Sequence, residues 1–207
     1  MVAAILVFLF SAMFDPYLFQ TLLEDQEKFI NLFSKAFIII APREEGIKLL
    51  TILVIFFYRG FPEKRINAIC CGSVVGLGFA TMENFFYLSQ IKGALSNNLP
   101  VFLLLRFIFS NLGHCLFGGL LAAYLKDSTD FKGTPLLTGM FPNLIRLFWG
   151  FVTVCFLHGL FDFITYVASD RLGYFHLFCL LSLVFVIYFN NLYTIFEEQM
   201  PETGSPT

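Results

Sequence analysis

The fold is decided by residues 36–58, which read AFIIIAPREEGIKLLTILVIFFY. The stretch is long enough for a membrane helix, which needs about 20 apolar residues to cross the hydrocarbon core of a bilayer. It nevertheless carries Glu44 and Glu45 side by side, with Lys48 one turn later. An ionisable side chain deep in a bilayer costs roughly 2.5–3.5 kcal/mol on insertion, so such groups usually mark a functional site. The stretch therefore predicts a membrane helix that carries a polar site.

The composition of the whole chain also predicts a membrane protein. Hydrophobic residues make up 57% of the 207 residues, charged residues only 14%, and Phe alone occurs 29 times. A typical soluble domain has about 25% charged residues. The net charge is −2 and no basic run is longer than Lys64-Arg65, which excludes a nucleic-acid partner. The expected environment is the lipid bilayer.

The cysteines do not predict a disulfide framework. Five are present, an odd number, and none shows CxxC spacing. All lie in apolar segments, so we interpret them as small buried hydrophobic residues.

The hydropathy pattern predicts an all-α fold, a polytopic bundle of about six transmembrane helices. The predicted membrane helices are 36–58, 68–90, 101–125, 146–167 and 173–195, with a weaker one at 1–14 that extends towards Leu23. Residues 24–35 are polar enough to lie at the membrane interface. No repeat or linker divides the chain, so we expect residues 1–196 to form one integral membrane domain. The acidic, Pro-containing residues 197–207 are expected to form a disordered tail.

Basic residues in the connections orient the predicted bundle. Segments 59–67 and 126–146 carry six lysines and arginines, and the connections on the opposite side carry four. This bias places 59–67 and 126–146 in the cytoplasm. Counting about 1.5 Å per residue, the ionisable residues of four successive helices fall at a similar depth, between the midplane and the outer leaflet. These residues are Glu44, Glu45, Glu83, His114, His158 and Asp162.

Spacing along each helix predicts which of these side chains share a face. Residues three or four apart are neighbours on a helix, so Lys48 can pair with either Glu44 or Glu45. By the same spacing, Asp162 can orient His158.

Two further patterns concern the same helices. Pro42 suits the first turn of a helix, where the helix dipole stabilises the carboxylates that follow. Ser110 and Asn111 lie on the same helix face as His114. The first pattern favours ionised acids, and the second places additional polar groups beside His114.

These residues belong to four motifs that occur in order along the chain. The motifs are Glu44-Glu45-x-x-Lys48, Gly76-Leu77-Gly78-Phe79-Ala80-Thr81-Met82-Glu83-Asn84, His114 in a Gly-rich helix, and His158-Gly159-Leu160-Phe161-Asp162. In this order, on four successive helices, they resemble the motifs of the PrsW-type glutamic intramembrane proteases. That family is similar to the type II CAAX prenyl endopeptidases. The resemblance covers residues 36–167.

The resemblance implies an intramembrane endopeptidase, a multi-pass protein of the cell membrane that hydrolyses a peptide bond of a membrane-anchored protein. It implies a glutamate-activated water, with no cofactor and no metal ion. By the resemblance, Glu44 is the general base, Glu83 helps to hold the water, and Glu45 pairs with Lys48. Spacing alone equally allows Glu44 as the partner of Lys48, so the division of roles between the two acids stays open.

Two histidines complete the catalytic set that the resemblance implies. His114 and His158 are expected to stabilise the oxyanion or to shuttle protons, and Asp162 to fix the tautomer of His158. Asn84 and Asn111 are additional candidate donors to the oxyanion.

Other protease chemistries stay open at this point. His114, His158, Asp162 and the glutamates could bind zinc, but there is no HExxH motif and Lys48 disfavours a cation. A serine protease would rest on Ser110 with His114, and a cysteine protease on Cys115. Neither residue lies in a nucleophile motif.

The same residues also allow functions without proteolysis. A proton-coupled transporter or a non-catalytic membrane scaffold would bury acids and histidines in its helices. The inverted repeats that many transporters share are not visible in the sequence. The glycines of Gly72-x-x-x-Gly76 and Gly118-Gly119 predict close helix packing rather than access to a site.

Overall fold

The computed structural model describes residues 26–90, 99–129 and 136–167, together with Phe185 and Tyr188. Within this part of the chain the structure is helical, apart from the short connection at 60–64, and it contains no strand. The helices are α1 Gln26–Ser34, the π-helical segment Lys35–Ile40, α2 Ala41–Arg59, α3 Arg65–Gln90, α4 Leu99–Thr129 and α5 Leu136–Val167. The predicted all-α fold is confirmed.

Three of the described helices are long and apolar enough to cross a membrane. These spans are Arg65–Leu88, Phe107–Thr129 and Asn143–Thr165. They correspond to the predicted helices 68–90, 101–125 and 146–167, although α5 begins earlier, at Leu136. The predicted helix 36–58 is helical throughout, but α2 is less apolar because it carries buried Glu44, Glu45 and Lys48.

The remaining sequence predictions fall mostly outside the described residues. This applies to the predicted helix 1–14, to the tail 197–207 and to most of the predicted helix 173–195. Within the last of these, Tyr188 is helical and its hydroxyl lies 3.0 Å from Ser73 Oγ, so it packs against α3. The interfacial stretch predicted at 24–35 contains α1, which runs directly into the π-helical segment.

Pro42 lies inside a continuous helical run rather than at a free helix end. Ile40 has helical backbone angles, φ −74° and ψ −61°, and the Ala41 N–H donates to the Ala36 carbonyl, five residues back. A wider π-helical turn accommodates a proline, whose ring would otherwise clash with the preceding turn. The expected stabilisation of Glu44 and Glu45 by a free helix N-terminus is therefore wrong, and Glu45 is held by side-chain partners instead.

Close packing of α3 against α4 sets the depth of the site. A Cβ atom added at Gly72 would clash with the Gly118 carbonyl, and one added at Gly76 would clash with the His114 carbonyl. Only glycine allows the two backbones to approach this closely. The predicted packing role of these glycines is confirmed, and the contact at Gly76 fixes the backbone of His114 against α3.

The predicted connection 59–67 and the described parts of 126–146, which are helical, lie at the same end of the bundle. Arg65, at the start of α3, donates to Asp127 Oδ2 at 2.9 Å, near the end of α4. Arg146, in α5, donates to the Asp127 carbonyl at 3.2 Å. Three helices are thus joined at this end, where the sequence placed both connections on one side of the membrane. The cytoplasmic location of this end stays a prediction.

The outer surface of the helices suits a lipid environment. Large apolar side chains are strongly exposed on α2, α3 and α5, including Phe57, Tyr58, Val74, Met82, Phe85, Phe148, Trp149 and Phe156. Soluble monomers rarely expose apolar patches of this kind. Inside the bundle, a core that includes Ile52, Leu116, Phe117, Leu121 and Phe161 holds α2, α4 and α5 together. The ionisable residues therefore lie in a structure that is apolar both outside and inside.

Candidate active site

Four helices contribute side chains to one polar cluster in the bundle. The cluster contains Glu44, Glu45 and Lys48 from α2, Glu83 from α3, His114 from α4, and His158 and Asp162 from α5. Glu45 and Lys48 are fully buried, and the two histidines are nearly so. The shared depth predicted from helix positions corresponds to a real contact network.

Lys48 pairs with Glu45 and not with Glu44. Its Nζ lies 2.6 Å from Glu45 Oε1, and both side chains are fully excluded from solvent. Burial of an unpaired ammonium is strongly unfavourable, so this ion pair is required for Lys48 to occupy its position. The choice that spacing left open is resolved in favour of Glu45.

Glu45 also holds His158 from across the bundle. The distance from Glu45 Oε1 to His158 Nδ1 is 2.7 Å. An ionised carboxylate only accepts hydrogen bonds, so Nδ1 of His158 carries a hydrogen and donates it to Glu45. His158 Nε2 then faces Glu44 Oε2 at 3.6 Å and Asp162 Oδ2 at 3.7 Å.

This arrangement changes the role expected for Asp162. The i,i+4 spacing predicted that Asp162 orients His158, and the resemblance implied that it fixes the tautomer of that ring, but the shorter contact comes from Glu45. Asp162 lies instead on the Nε2 side of the ring and lines the cavity described below. Spacing within one helix could not reveal this, because the closer partner is on another helix.

His114 is held from both sides. Its Nδ1 lies 2.7 Å from Lys48 Nζ, and its Nε2 lies 3.2 Å from Glu83 Oε2. Ser110 Oγ donates to the same Glu83 oxygen at 3.2 Å. Ser110 thus contacts the acid of the neighbouring helix, which gives no support to its use as a nucleophile activated by His114.

One oxygen of Glu44 accepts no hydrogen bond from the residues that the structure describes. Glu44 Oε2 is buried, and none of the described residues donates a hydrogen bond to it. A buried acceptor without a partner is uncommon and calls for a ligand or a functional explanation. Glu45 Oε2 is also without a partner among these residues, but Glu45 is fully buried behind Glu44 and His158.

Glu44 lines a cavity of about 410 Å³ between α2, α3, α4 and α5. Its polar wall is formed by Arg43, Glu44, Glu83, Ser110, His114, Asp162 and Thr165, and its apolar wall by Ile40, Phe79, Met82, Phe86, Tyr87 and Phe161. Glu45, Lys48 and His158 lie behind this wall. The cavity therefore brings acids and an imidazole next to an aromatic surface.

The asparagine candidates lie to one side of this cavity. Asn84 Nδ2 donates to Asn111 Oδ1 at 3.0 Å, and neither residue belongs to the cavity wall. The bond joins α3 to α4. Their use as oxyanion donors stays a prediction from the resemblance.

Some residues of the site were not singled out from the sequence. Arg43 lines the cavity next to Glu44, and Phe79 lines it one turn before Glu83. Lys48 Nζ lies 4.9 Å from the centre of the Phe79 ring, a cation–π distance. Phe79 is part of the second motif. Its i,i+4 spacing from Glu83 could have indicated that it lies on the same helix face as this acid.

A set of possible metal ligands is present in the cluster. One potential ligand atom from each of Glu44, His114 and His158 lies within 4.8 Å of the others. Two imidazoles and a carboxylate are a common donor set for catalytic zinc. The Lys48 ammonium, however, lies against one of these imidazoles.

Comparison with known proteins gives consistent matches. The family model described as PrsW family intramembrane metalloprotease matches residues 1–190. Protease PrsW of Shouchella clausii (strain KSM-K16) is 27% identical over 158 residues, which cover 75% of this chain and 63% of that protein. Protease PrsW of Oceanobacillus iheyensis is 28% identical over 142 residues, which cover 66% of this chain and 63% of that protein. The chain thus spans less than two thirds of the length of these relatives. No solved structure matches it.

Proposed function

The chain belongs to the PrsW family of intramembrane metalloproteases, and from this premise we propose that it is an intramembrane endopeptidase. It hydrolyses a peptide bond of a membrane-anchored protein and resides in the cell membrane as a multi-pass protein. The observation that carries the proposal is Glu44, which lines the cavity and whose buried Oε2 accepts no hydrogen bond from any described residue. A water molecule placed there would donate to this oxygen.

Glu44 is the general base in this proposal. It takes a proton from the water while the water oxygen attacks the carbonyl carbon of the scissile bond. Glu83, on the opposite helix, accepts the second hydrogen of the water and so orients it. Glu83 is itself held by Ser110 and His114, both at 3.2 Å. Two acids fixed on separate helices hold the water between them.

The proton then passes to the leaving amine. His158 donates Nδ1–H to Glu45 and presents Nε2 towards Glu44 at 3.6 Å. Its Nε2 can accept a hydrogen bond from Glu44 once Glu44 is protonated, which holds the proton near the scissile bond. When the carbon–nitrogen bond breaks, Glu44 returns the proton to the nitrogen, and its carboxylate is regenerated.

His114 is the donor to the oxyanion. It lines the cavity with Glu44 and Glu83, and it approaches from α4. A fixed donor aimed at the developing negative charge is typically the strongest electrostatic contribution to acyl transfer. His114 can move its hydrogen bond from Glu83 to the oxyanion as the tetrahedral intermediate forms.

The family name implies a metal ion, so the fit of the site to one is decisive. Glu44, His114 and His158 are suitable by type and by separation. Lys48, paired with Glu45 at 2.6 Å, places its ammonium 2.7 Å from His114. A divalent cation would lie next to this positive charge inside an apolar bundle. The residues therefore do not fit a metal while Lys48 is charged, and the proposed reaction uses none.

The cavity also indicates what the substrate presents to the enzyme. Its apolar wall contains Phe79, Phe86, Tyr87 and Phe161, and its volume of about 410 Å³ exceeds that of a water molecule many times. Such a wall suits a large apolar side chain next to the scissile bond. A membrane-anchored segment, rich in these residues, is the matching substrate class.

Proteolysis is tested by direct observation of products. The purified chain, reconstituted in lipid, is incubated with a panel of single-pass membrane proteins, and fragments are identified by mass spectrometry. We expect cleavage within or close to a membrane segment, next to a large apolar residue. Binding without any fragment, across the panel, would instead support a scaffold. Cleavage that persists unchanged in Glu44→Gln would contradict the role of Glu44 as general base.

A further inference from the structure

Lys48 makes two contacts that together determine the state of His114. Its Nζ lies 2.6 Å from Glu45 Oε1 and 2.7 Å from His114 Nδ1, and Lys48 has no solvent-exposed surface. An ammonium group has only hydrogens to offer, so it acts as a donor in both contacts. His114 Nδ1 must therefore be an acceptor without a hydrogen.

The opposite side of the ring agrees with this assignment. A neutral imidazole with an unprotonated Nδ1 carries its hydrogen on Nε2. His114 Nε2 lies 3.2 Å from Glu83 Oε2, and a carboxylate oxygen accepts such a hydrogen. Both neighbours of His114 thus require the same tautomer, with Nε2–H on the cavity side.

The two histidines of the cluster are held in opposite ways. Glu45 accepts from Nδ1 of His158, and this leaves Nε2 of His158 towards Glu44. Lys48 donates to Nδ1 of His114, and this leaves an N–H towards Glu83. One buried ion pair, Glu45 with Lys48, thereby sets both rings: His158 presents an acceptor towards Glu44, and His114 presents a donor towards Glu83.

We propose that Lys48 is a positioning residue that holds His114 as an Nε2–H donor and, by doing so, prevents a metal ion from binding in the cluster. Both nitrogens of His114 are then engaged, since the lone pair of Nδ1 accepts from Lys48 and Nε2 bears a hydrogen. A metal ligand needs a free lone pair on the coordinating nitrogen. With His114 unavailable, the set of Glu44, His114 and His158, whose ligand atoms lie within 4.8 Å of one another, is incomplete as a catalytic zinc site. The donor role of His114 rests on the proposed function, but its tautomer and the exclusion of metal do not.

The tautomer is measured on the unmodified protein. Histidine ring nitrogens are labelled with nitrogen-15 in the protein reconstituted in lipid, and the His114 signals are identified by their loss in His114→Asn. We expect Nδ1 of His114 to show the resonance of an unprotonated acceptor nitrogen and Nε2 that of a protonated one. A protonated Nδ1 would overturn the proposal. This result needs no substrate and no variant of Lys48.

Variants of Lys48 separate positioning from a purely structural role. Lys48→Met nearly keeps the length of the side chain and removes the donor. The lone pair of His114 Nδ1 then loses its hydrogen bond while Glu83 still accepts from Nε2, so the Nδ1 resonance should shift to that of an unprotonated nitrogen without a donor. Lys48→Arg keeps a charged donor and should leave the tautomer of His114 unchanged. An unchanged His114 spectrum in folded Lys48→Met would contradict the proposal. If neither variant folds, the spectrum of the unmodified protein still tests which nitrogen of His114 carries the hydrogen.

Zinc binding gives the second readout. After incubation with zinc chloride and desalting, the unmodified protein should retain less than about 0.1 zinc ions per chain. Lys48→Met should retain about one zinc ion per chain, because His114 becomes available as the third ligand beside Glu44 and His158. The additional substitution His114→Asn should remove that zinc again. About one zinc per unmodified chain, lost in His114→Asn, would overturn the proposal, as would folded Lys48→Met that binds none. A protein that behaves as expected here but cleaves no substrate would refute the protease and leave the role of Lys48 intact.

Discussion

Glu45 Oε1 lies 2.7 Å from Nδ1 of His158, a contact that joins α2 to α5 in the interior of the bundle. The same oxygen lies 2.6 Å from Lys48 Nζ. Glu45 is therefore the structural centre of the cluster: it neutralises the buried lysine and orients one histidine. Glu44, its neighbour in the sequence, faces the cavity instead. Adjacent positions on a helix point about 100° apart, which explains how the paired acids take different roles.

The first prediction concerns the stability provided by Glu45. Glu45→Ala leaves Lys48 buried without a counter-ion, and breaking a buried pair in this way costs about 3–5 kcal/mol. We expect a large fall in the thermal unfolding temperature of the purified protein. Glu63→Ala is the matched control, because Glu63 is exposed and lies in the 60–64 connection. Equal unfolding temperatures for both variants would show that the Glu45–Lys48 pair does not support the fold.

The second prediction concerns the close packing of α3 and α4. Gly76→Ala introduces a Cβ that clashes with the His114 carbonyl, so it should destabilise the bundle and reduce cleavage together. Gly78→Ala, on the same helix, has open space around the added atom. Alanine is favoured over glycine in a helix by about 1 kcal/mol, so this control should be neutral or slightly stabilising. Thermal unfolding and cleavage rates of the two variants provide the comparison.

Much of this arrangement could be predicted from the sequence, because buried charges are informative in a membrane helix. The depths of Glu44, Glu83, His114 and His158 indicated that they would meet, and the structure places them in one cluster. Helical spacing limited the partner of Lys48 within α2 to Glu44 or Glu45. These inferences needed only the rise of a helix and the cost of burying a charge.

The contacts between helices could not be predicted in the same way. Glu45 with His158, and Lys48 with His114, depend on the rotation and separation of packed helices. The separation in turn depends on contacts such as that of Gly76 with the His114 backbone. The π-helical turn before Pro42 could not be predicted from the sequence either. A proline in a hydrophobic run is compatible with a helix start and also with a continued helix that contains a wider turn. Spacing along one helix carries no information on these points.

The third prediction tests the orientation of the bundle. The basic residues of 59–67 and 126–146 place that end in the cytoplasm, so water should reach the cavity from the outer side. With the native cysteines replaced by Ala, Asp162→Cys should react with a small, membrane-impermeant thiol reagent added outside intact cells. Asp162 is a suitable position because it lines the cavity and is only partly buried.

A control position belongs in the same labelling experiment. Lys64→Cys, exposed in the 60–64 connection at the other end of the bundle, should react only after the cells are opened. Reaction of Lys64→Cys from outside, with Asp162→Cys protected, would reverse the orientation. The substrate bond would then be sought near the inner leaflet.

The fourth prediction concerns the acid that orients the water. Glu83→Gln keeps the shape of the side chain and one oxygen that can accept from Ser110 and His114, but it replaces the other oxygen by an NH₂ group that cannot accept a hydrogen from the water. We expect cleavage to fall by at least about tenfold, with an unfolding temperature close to that of the unmodified protein, because Glu83 is only partly buried. Asn84→Asp, at the next position, should retain more activity, since Asn84 does not line the cavity. A higher cleavage rate in Glu83→Gln than in Asn84→Asp would show that Glu83 does not orient the water.

The most direct test of the central claim is the cleavage rate of Glu44→Gln. The amide has nearly the same shape as the carboxylate but cannot take a proton from water, and loss of a general base lowers rates by about 10²–10⁴-fold. The measurement is single-turnover cleavage of a substrate identified in the membrane-protein panel, by Glu44→Gln and by Glu63→Gln under identical conditions. The account predicts a folded Glu44→Gln protein that binds substrate and does not cleave it, with Glu63→Gln fully active. Cleavage by Glu44→Gln at the rate of the unmodified protein would contradict it.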